Sequence, residues 1–370
     1  MEQIIRIILK ILYIFPIKNK RICFMSFDGS KLCGDSKAII DWINENSFDN
    51  EMIFLVKDRE CQKRLRARNV RFEIYKSLKG ILAIMTSKVV VYNISIPYKI
   101  PTRKNQILIN TWHGMAYKKI GVFTEEFSVK NFARASAVIS HSKYYTEEVI
   151  RKSFCYKGKV LNIGAPRNDV FFSKKVNVVS EKVREYYNVK GKKILLYAPT
   201  FRGNFSNEKI ILNFDKMIDI LSKKFSGEWV VFYRVHPLLS SSLSDYSDTI
   251  IDVSLYDDMQ ELLCSADILV TDYSSSIWDF SLLKKPIFLF TYDLKEYELD
   301  RGLYIDLRTL PFKVSECEKE LWENILEFDY EHYKRELMKY FDNTVSYEDG
   351  TSTRQLYDFI EKELYHGKKI

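Results

Sequence analysis

The sequence predicts an α/β protein built from two doubly wound parallel sheets with a helical C-terminal tail, and three observations carry that prediction. Short apolar runs alternate with helical stretches, the alternation forms two separate series, and the end of the chain holds only 3.6-residue periodicity. Its 370 residues suffice for two domains, and 46% hydrophobic residues suffice to give each a core. With no internal repeat, low-complexity tract or Pro/Gly/Ser linker, the two halves are expected to enclose a cleft.

The N-terminal stretch "MEQIIRIILKILYIFPIKNKR" is broken by Arg6 and Lys10 and stops at Pro16, short of the ~20 apolar residues a membrane span requires. On a helix, Glu2, Arg6, Lys10 and Tyr13 share one face and Ile4, Ile5, Ile8, Ile11, Leu12 and Phe15 the other. Residues 1–18 therefore read either as an amphipathic helix lying on an anionic membrane or as a helix docked on the protein's own core. Residues 19–190 form the first series, with strands expected in "RICFMSF", "EMIFLV", "KVVVYNI", "QILINTW", "AVISHS" and "KVLNIGAP". Residues 191–315 form the second, with "ILLYAPT", "WVVFYRVHP", "IIDVS", "DILVTDYSS" and "PIFLFTY". Residues 316–370 are a helical tail expected to pack back on the domains.

A net charge of +8 favours an anionic partner: nucleic acid, acidic lipid or a phosphate-rich substrate. The 24 Tyr and 24 Phe form no recurring basic-aromatic motif, so nucleic acid is not the expected partner. The six cysteines, Cys23, Cys33, Cys61, Cys155, Cys264 and Cys317, lack CxxC or any tight spacing, which argues against a zinc site or a disulfide framework and suits a reducing cytoplasm.

Ligands of doubly wound sheets bind beyond the carboxyl ends of the strands, so the polar residues there are the candidates. Thr200 and Arg202 follow "ILLYAP"; Arg234 and His236 follow "VVFY"; Asp272, Ser274, Ser275 and Ser276 follow "DILVT". The serine triplet could offer hydroxyls and backbone N–H groups to a phosphate or simply cap the following helix. Neither GxxxxGK[ST] nor GxGxxG occurs, so neither a P-loop nor a dinucleotide fingerprint is present. His113, in "NTWHG", is either a chemical group or a packed structural histidine. Asp257 and Asp258 read as a solvated helix start rather than a metal site, and no metal or cofactor is expected.

The blocks "NTWHGMAYKKIG", "IGAPRNDVFF", "LLYAPTFRGN", "YRVHP", "DVSLYDDMQELLCSADILVTDYSSSIWDFSLLKKPIFLFTYDLKEY" and "RGLYID", with a weaker "FDGSKLCGDSKAIIDWI" nearer the start, together resemble the CDP-glycerol glycerophosphotransferase family, which includes teichoic acid primases and polymerases. The resemblance implies a GT-B fold, two facing Rossmann-like domains with the donor held by the C-terminal one. It implies transfer of glycerol phosphate, or in relatives ribitol phosphate, from a CDP-alditol to a hydroxyl of a lipid-linked saccharide or polyol-phosphate acceptor, with release of CMP, in wall teichoic acid or capsule synthesis. On it, His113 and His236 correspond to two essential histidines, and Ser274 and Ser275 to pyrophosphate-binding hydroxyls. "GMAYK" where "GTPLK" is usual, and the small residue before the proline of "IGAPRND", depart from the family pattern in the acceptor half. With no large N-terminal extension, a minimal, primase-like enzyme at the inner face of the cell membrane is expected.

For that chemistry an imidazole suits removal of the hydroxyl proton near neutral pH, and His113 takes this role. Thr200, Arg202, Arg234, His236, Asp272 and the Ser274 to Ser276 turn are expected to hold the donor phosphates. Gly114, Lys118, Arg167, Asn168 and Asp169 are expected to shape an acceptor cleft. His141 has no partner in sequence, and His332 and His366 read as solvated.

Overall fold

The computed structural model describes residues 1–64, 70–97, 99–116, 118–124, 132–200, 212–235 and 248–365. Among them, strands form two all-parallel sheets, one in each of two compact units. The first unit comprises Met1–His113, Ile120–Phe172 and Val345–Ile370. Its strands are β1 (Lys18–Met25), β2 (Glu51–Val56), β3 (Arg71–Ile74), β4 (Ser87–Tyr92), β5 (Ile107–Asn110), β6 (Ala137–Ser140) and β7 (Lys159–Asn162), in the spatial order β3-β2-β1-β4-β5-β6-β7. Two-residue alternation sends Ile22, Phe24, Phe54 and Val89 to one face and Cys23, Met25, Leu55 and Val90 to the other. Both faces are covered, as a parallel sheet requires. Ile39, Ile40 and Ile43 of helix Gly34–Glu45 and Leu356, Ile360 and Leu364 of helix Ser352–Tyr365 cover the first; Ala83, Ile84 and Met85 of helix Leu78–Thr86 cover the second. Complete burial of each of these isoleucine, leucine and methionine side chains contributes about 1.5–3 kcal/mol before entropic costs.

The N-terminal helix, Glu2–Leu9, tightens into a 3-10 turn at Lys10–Ile14. That change turns Leu12 and Tyr13 inward together against the core. Arg6 donates to the Ile100 carbonyl at 3.4 Å, the Tyr13 hydroxyl donates to that of Thr102 at 3.1 Å, and the Arg103 guanidinium lies 4.6 Å from the Tyr13 ring centre. The sequence offered a docked helix or an outward apolar face. The structure has both, because the face bearing Arg6 and Tyr13 does the docking. Ile4, Ile7, Ile8, Ile11 and Ile14 remain 61–75% exposed.

The second unit comprises Gly114–Lys119 and Ser173–Thr344. It contains β8 (Lys193–Ala198), β9 (Trp229–Tyr233), β10 (Ile250–Asp252), β11 (Ile268–Thr271), β12 (Ile287–Phe290) and β13 (Lys313–Ser315), ordered β10-β9-β8-β11-β12-β13. The sequence placed the boundary near 190; the division falls at 172/173 because helix Lys175–Tyr186 is anchored to the second unit. Arg184 donates to Asp267 at 3.1 Å, to the Ser265 carbonyl at 2.9 Å and to the Lys192 carbonyl, while Lys182 pairs with Glu261 at 2.8 Å. The tail also divides. Glu318–Leu326 and Tyr330–Thr344 bury Leu321, Ile325 and Leu337 in the second unit, whereas Ser352–Tyr365 belongs to the first.

In each sheet the strand order reverses at one place, between β1 and β4 in the first and between β8 and β11 in the second. The loops leaving those strands at their carboxyl ends form the crevices where doubly wound sheets bind ligands.

Candidate active site

In the first unit, the crevice is built around His113. Beyond β5, the Asn110 side chain accepts a hydrogen bond from the Trp112 N–H at 2.8 Å and donates to the Ile94 carbonyl at 3.3 Å. The resulting sharp turn puts Trp112 at φ 53°, a left-handed conformation costly for a bulky residue and held here by packing of the indole against Phe132 and Phe154. His113 is consequently exposed rather than core-packed, with its ring 4.2 Å from the Trp112 ring centre and 6.1 Å from that of Phe27. Its Nδ1 lies 3.1 Å from the Asn93 carbonyl oxygen, which can only accept. Nδ1 therefore carries the proton and Nε2 the lone pair, the tautomer a general base needs. The Asn93 side chain ties in the loop after β1, accepting from the Phe27 N–H at 3.0 Å and donating to Ser26 Oγ at 3.4 Å.

In the second unit the loops after β8 and β11 are clamped by Asp272. Both of its carboxylate oxygens accept from the Thr200 N–H, at 2.8 and 3.0 Å, and the Thr271 hydroxyl donates to the Ala198 carbonyl at 2.6 Å. Asp272 is buried, and its carboxylate joins the two loops that shape this crevice. Ser274 Oγ accepts from the Ser276 N–H at 3.3 Å and lies 2.9 Å from Ser276 Oγ. Ser274 thus bonds within its own turn, while Ser275, the residue before helix Ser276–Ser281, makes no side-chain cap bond. Ser275 sits beside Gly114, where a Cβ would fall 2.3 Å from its hydroxyl oxygen, so only glycine fits at 114. Arg234 leaves β9 with its guanidinium donating to the Tyr256 carbonyl at 2.9 Å. Arg202 and His236 lie outside the described residues.

Gly114 and Lys118, expected in the N-terminal domain, belong to the second unit. Lys118 bridges to Leu303 and the Lys119 N–H donates to the Gly302 carbonyl at 3.0 Å, so the "GMAYKKIG" and "RGLYID" blocks meet. Asp258 caps helix Met259–Ser265 through the Gln260 N–H at 3.0 Å, which agrees with a helix start, although it is buried rather than solvated.

Arg167, Asn168 and Asp169 have structural tasks in place of the open cleft expected for them. Arg167 donates to buried Asp35 from its backbone at 3.0 Å and from its guanidinium at 3.1 Å. Asn168 donates to Glu348 at 3.2 Å. Asp169 accepts from the Ser352 and Thr353 N–H groups at 3.0 and 2.7 Å, capping helix Ser352–Tyr365, while burial pushes its carboxyl upward against the pull of those donors. Glu348 also takes the Ala165 N–H at 3.1 Å and His141 Nδ1 at 2.9 Å, so His141 is a buried structural histidine. None of the six cysteines forms a disulfide. Among the described residues no group of three His, Cys, Asp or Glu side chains is placed to hold a metal ion.

Sequence reasoning missed Asn93, Asp35 and Glu348. The only signal was the weak "FDGSKLCGDS" block, which contains Asp35 and the loop that Asn93 holds.

Residues 7–362 match the family described as CDP-Glycerol:Poly(glycerophosphate) glycerophosphotransferase. The chain is 30% identical over 379 residues to the teichoic acid poly(glycerol phosphate) polymerase of Bacillus spizizenii, covering 96% of this chain and 95% of that protein. It is 27% identical over 369 residues to the polymerase of the same description from Bacillus subtilis, covering 94% of this chain but spanning about half, 49%, of that protein. A solved structure of the wall teichoic acid polymerase TagF superposes with a TM-score of 0.84 at 27% identity, covering 96% of this chain and 91% of that one. Two Rossmann-like units with a helical C-terminal region are the composition of the GT-B fold.

Proposed function

Since the chain belongs to the CDP-glycerol:poly(glycerophosphate) glycerophosphotransferase family, and is on that ground a transferase of teichoic acid synthesis, we propose that it moves glycerol phosphate from CDP-glycerol to a hydroxyl of a lipid-linked acceptor. The acceptor oxygen attacks the β-phosphorus of CDP-glycerol. A new P–O bond forms, the bond to the bridging oxygen breaks, and CMP leaves with that electron pair. The hydroxyl proton passes to Nε2 of His113. The observation that supports this assignment is the hydrogen bond from His113 Nδ1 to the Asn93 carbonyl, which leaves the lone pair on Nε2 at the switch point of the first sheet.

In the second unit, Ser274, Ser275, Ser276 and the Thr200 loop clamped by Asp272 are assigned to the donor phosphates, joined by Arg202 and Arg234 as fixed cations and, on the family resemblance, by His236. A screen of CDP-glycerol, CDP-ribitol and UDP-sugars with a lipid-linked acceptor tests the reaction. CMP release from CDP-glycerol is expected; release of a uridine nucleotide alone overturns the reading, and a preference for CDP-ribitol replaces the donor alditol.

No helix among the described residues is long and apolar enough to cross a membrane. We assign membrane contact to the exposed isoleucine row of the N-terminal helix, with Lys18 and Lys20 and the net charge of +8 suited to anionic lipid. The double variant Ile8→Asp, Ile11→Asp is expected to weaken sedimentation with phosphatidylglycerol vesicles at least ~10-fold while CMP release with a soluble acceptor persists. Unchanged sedimentation removes the helix from the membrane contact.

A further inference from the structure

Beside His113 the first unit holds a second feature that the chemistry above does not use. A cavity of about 640 Å³ opens at the carboxyl ends of β1 to β4, lined by Phe27, Asp28, Lys57, Tyr75, Lys76 and Ser95 among others. That volume fits a small polyol phosphate. Phe27 joins the cavity to the catalytic imidazole: its ring forms part of the lining, its centre is 6.1 Å from that of His113, and its N–H is fixed by the same Asn93 whose carbonyl holds Nδ1.

The loop that presents these groups is over-determined. Phe27 and Asp28 are both left-handed, at φ 46° and 53°, and Gly29 follows at φ 80° with backbone atoms of Leu55, Val56 and Lys57 all 2.6 Å from where its Cβ would be. The Lys57 N–H donates to the Gly29 carbonyl at 2.9 Å, so the strained turn and the lysine are set together. Opposite signs are interleaved on the rim: Lys57 and Lys76 supply two point charges suited to a phosphodiester, and Asp28 and Ser95 supply acceptors suited to hydroxyls. Asp58, next to Lys57 in the chain, lines the same cavity and adds a second carboxylate beside the two lysines. Buried Tyr75 contributes a phenol, its ionisation pushed upward by burial first and by Asp28 second.

Taking the proposed transfer as its basis, we infer that this cavity is the acceptor subsite, which grips the terminal polyol-phosphate unit of the acceptor through Lys57 and Lys76 and presents its free hydroxyl toward His113. The acceptor is thus expected to be a chain end that already carries a phosphate, rather than a neutral saccharide. The Arg167, Asn168, Asp169 cluster, consumed by internal bonds, is replaced in that role.

The test uses the full chain, CDP-glycerol, and a lipid-linked acceptor ending in glycerol phosphate. Lys57→Gln and Lys76→Gln are each expected to raise the acceptor KM about 5-fold, and the pair about 20-fold, with the KM for CDP-glycerol unmoved. Free glycerol 3-phosphate is expected to compete with the acceptor in the wild type and to lose potency by a similar factor in the double variant. Both lysines are exposed, so folding is not at stake. An acceptor KM unchanged in the double variant overturns the subsite, as does an equal rise in both KM values. A wild-type protein that releases no CMP with any acceptor instead overturns the proposed transfer itself.

Discussion

Replacing His113 with alanine is expected to lower kcat for glycerol phosphate transfer at least about 100-fold, the usual loss when a general base is removed. The imidazole stands outside the core, so thermal unfolding is expected to stay near that of the wild type, and a folded but inactive protein is the diagnostic outcome. The acid side of the rate profile follows from the same geometry. With Nδ1 held as a donor to the Asn93 carbonyl, protonation at Nε2 removes the only lone pair able to take the hydroxyl proton, so turnover falls as the ring becomes charged. A conservative His113→Gln change keeps a polar side chain without a base of suitable pKa and is expected to be as inactive as alanine. Turnover near the wild-type level in either folded variant would remove His113 from the mechanism. The sequence motif makes the same demand of His236→Ala.

Which parts of this were legible in the sequence depends on how local the determining force is. Eleven of the strands coincide with the apolar runs read from the sequence, β1, β4 and β8 beginning slightly before theirs, because parallel strands buried on both faces need continuous hydrophobic stretches. The two that escaped, "RFEI" of β3 and "KVS" of β13, each lie at one edge of a sheet and are short and partly buried, and neither carries the apolar run that marks β7 and β10 at the opposite edges. The division at 172/173 rather than near 190 has a related cause: Arg184 of helix Lys175–Tyr186 finds Asp267 more than eighty residues on, a pairing no local pattern announces. In the site, "WHG" at a strand end pointed to His113, but the group that sets its tautomer is a backbone carbonyl, which side-chain patterns cannot reveal. At Arg167, Asn168 and Asp169 a strand-end position pointed to ligand contact, and no local pattern shows that distant segments bond these three side chains. Here Glu348, Ser352 and Thr353 took two of the three and Asp35 the other.

That distinction yields the largest expected stability effect. The Arg167 and Asp35 side chains are only 5% and 2% exposed, and the guanidinium is 3.1 Å from the carboxylate. Arg167→Ala would leave the carboxylate buried without that guanidinium, and the loss is expected to be about 3–5 kcal/mol, much more than the intact pair contributes relative to apolar residues of the same size. Removing both charges avoids the stranded carboxylate, so Arg167→Met combined with Asp35→Leu is expected to recover most of the stability lost by Arg167→Ala alone. Urea unfolding of the three proteins, followed by tryptophan fluorescence, checks the sign and size of both effects. The kinetics of the double variant then separate the two roles open to Arg167. A residue that only joins the β7 loop to helix Gly34–Glu45 leaves the acceptor KM of the restabilised protein near the wild-type value, because nothing it touches is substrate. A residue that grips the acceptor raises that KM despite restored folding, and such a result would return Arg167 to the acceptor site and displace the lysine-lined cavity as its principal anchor.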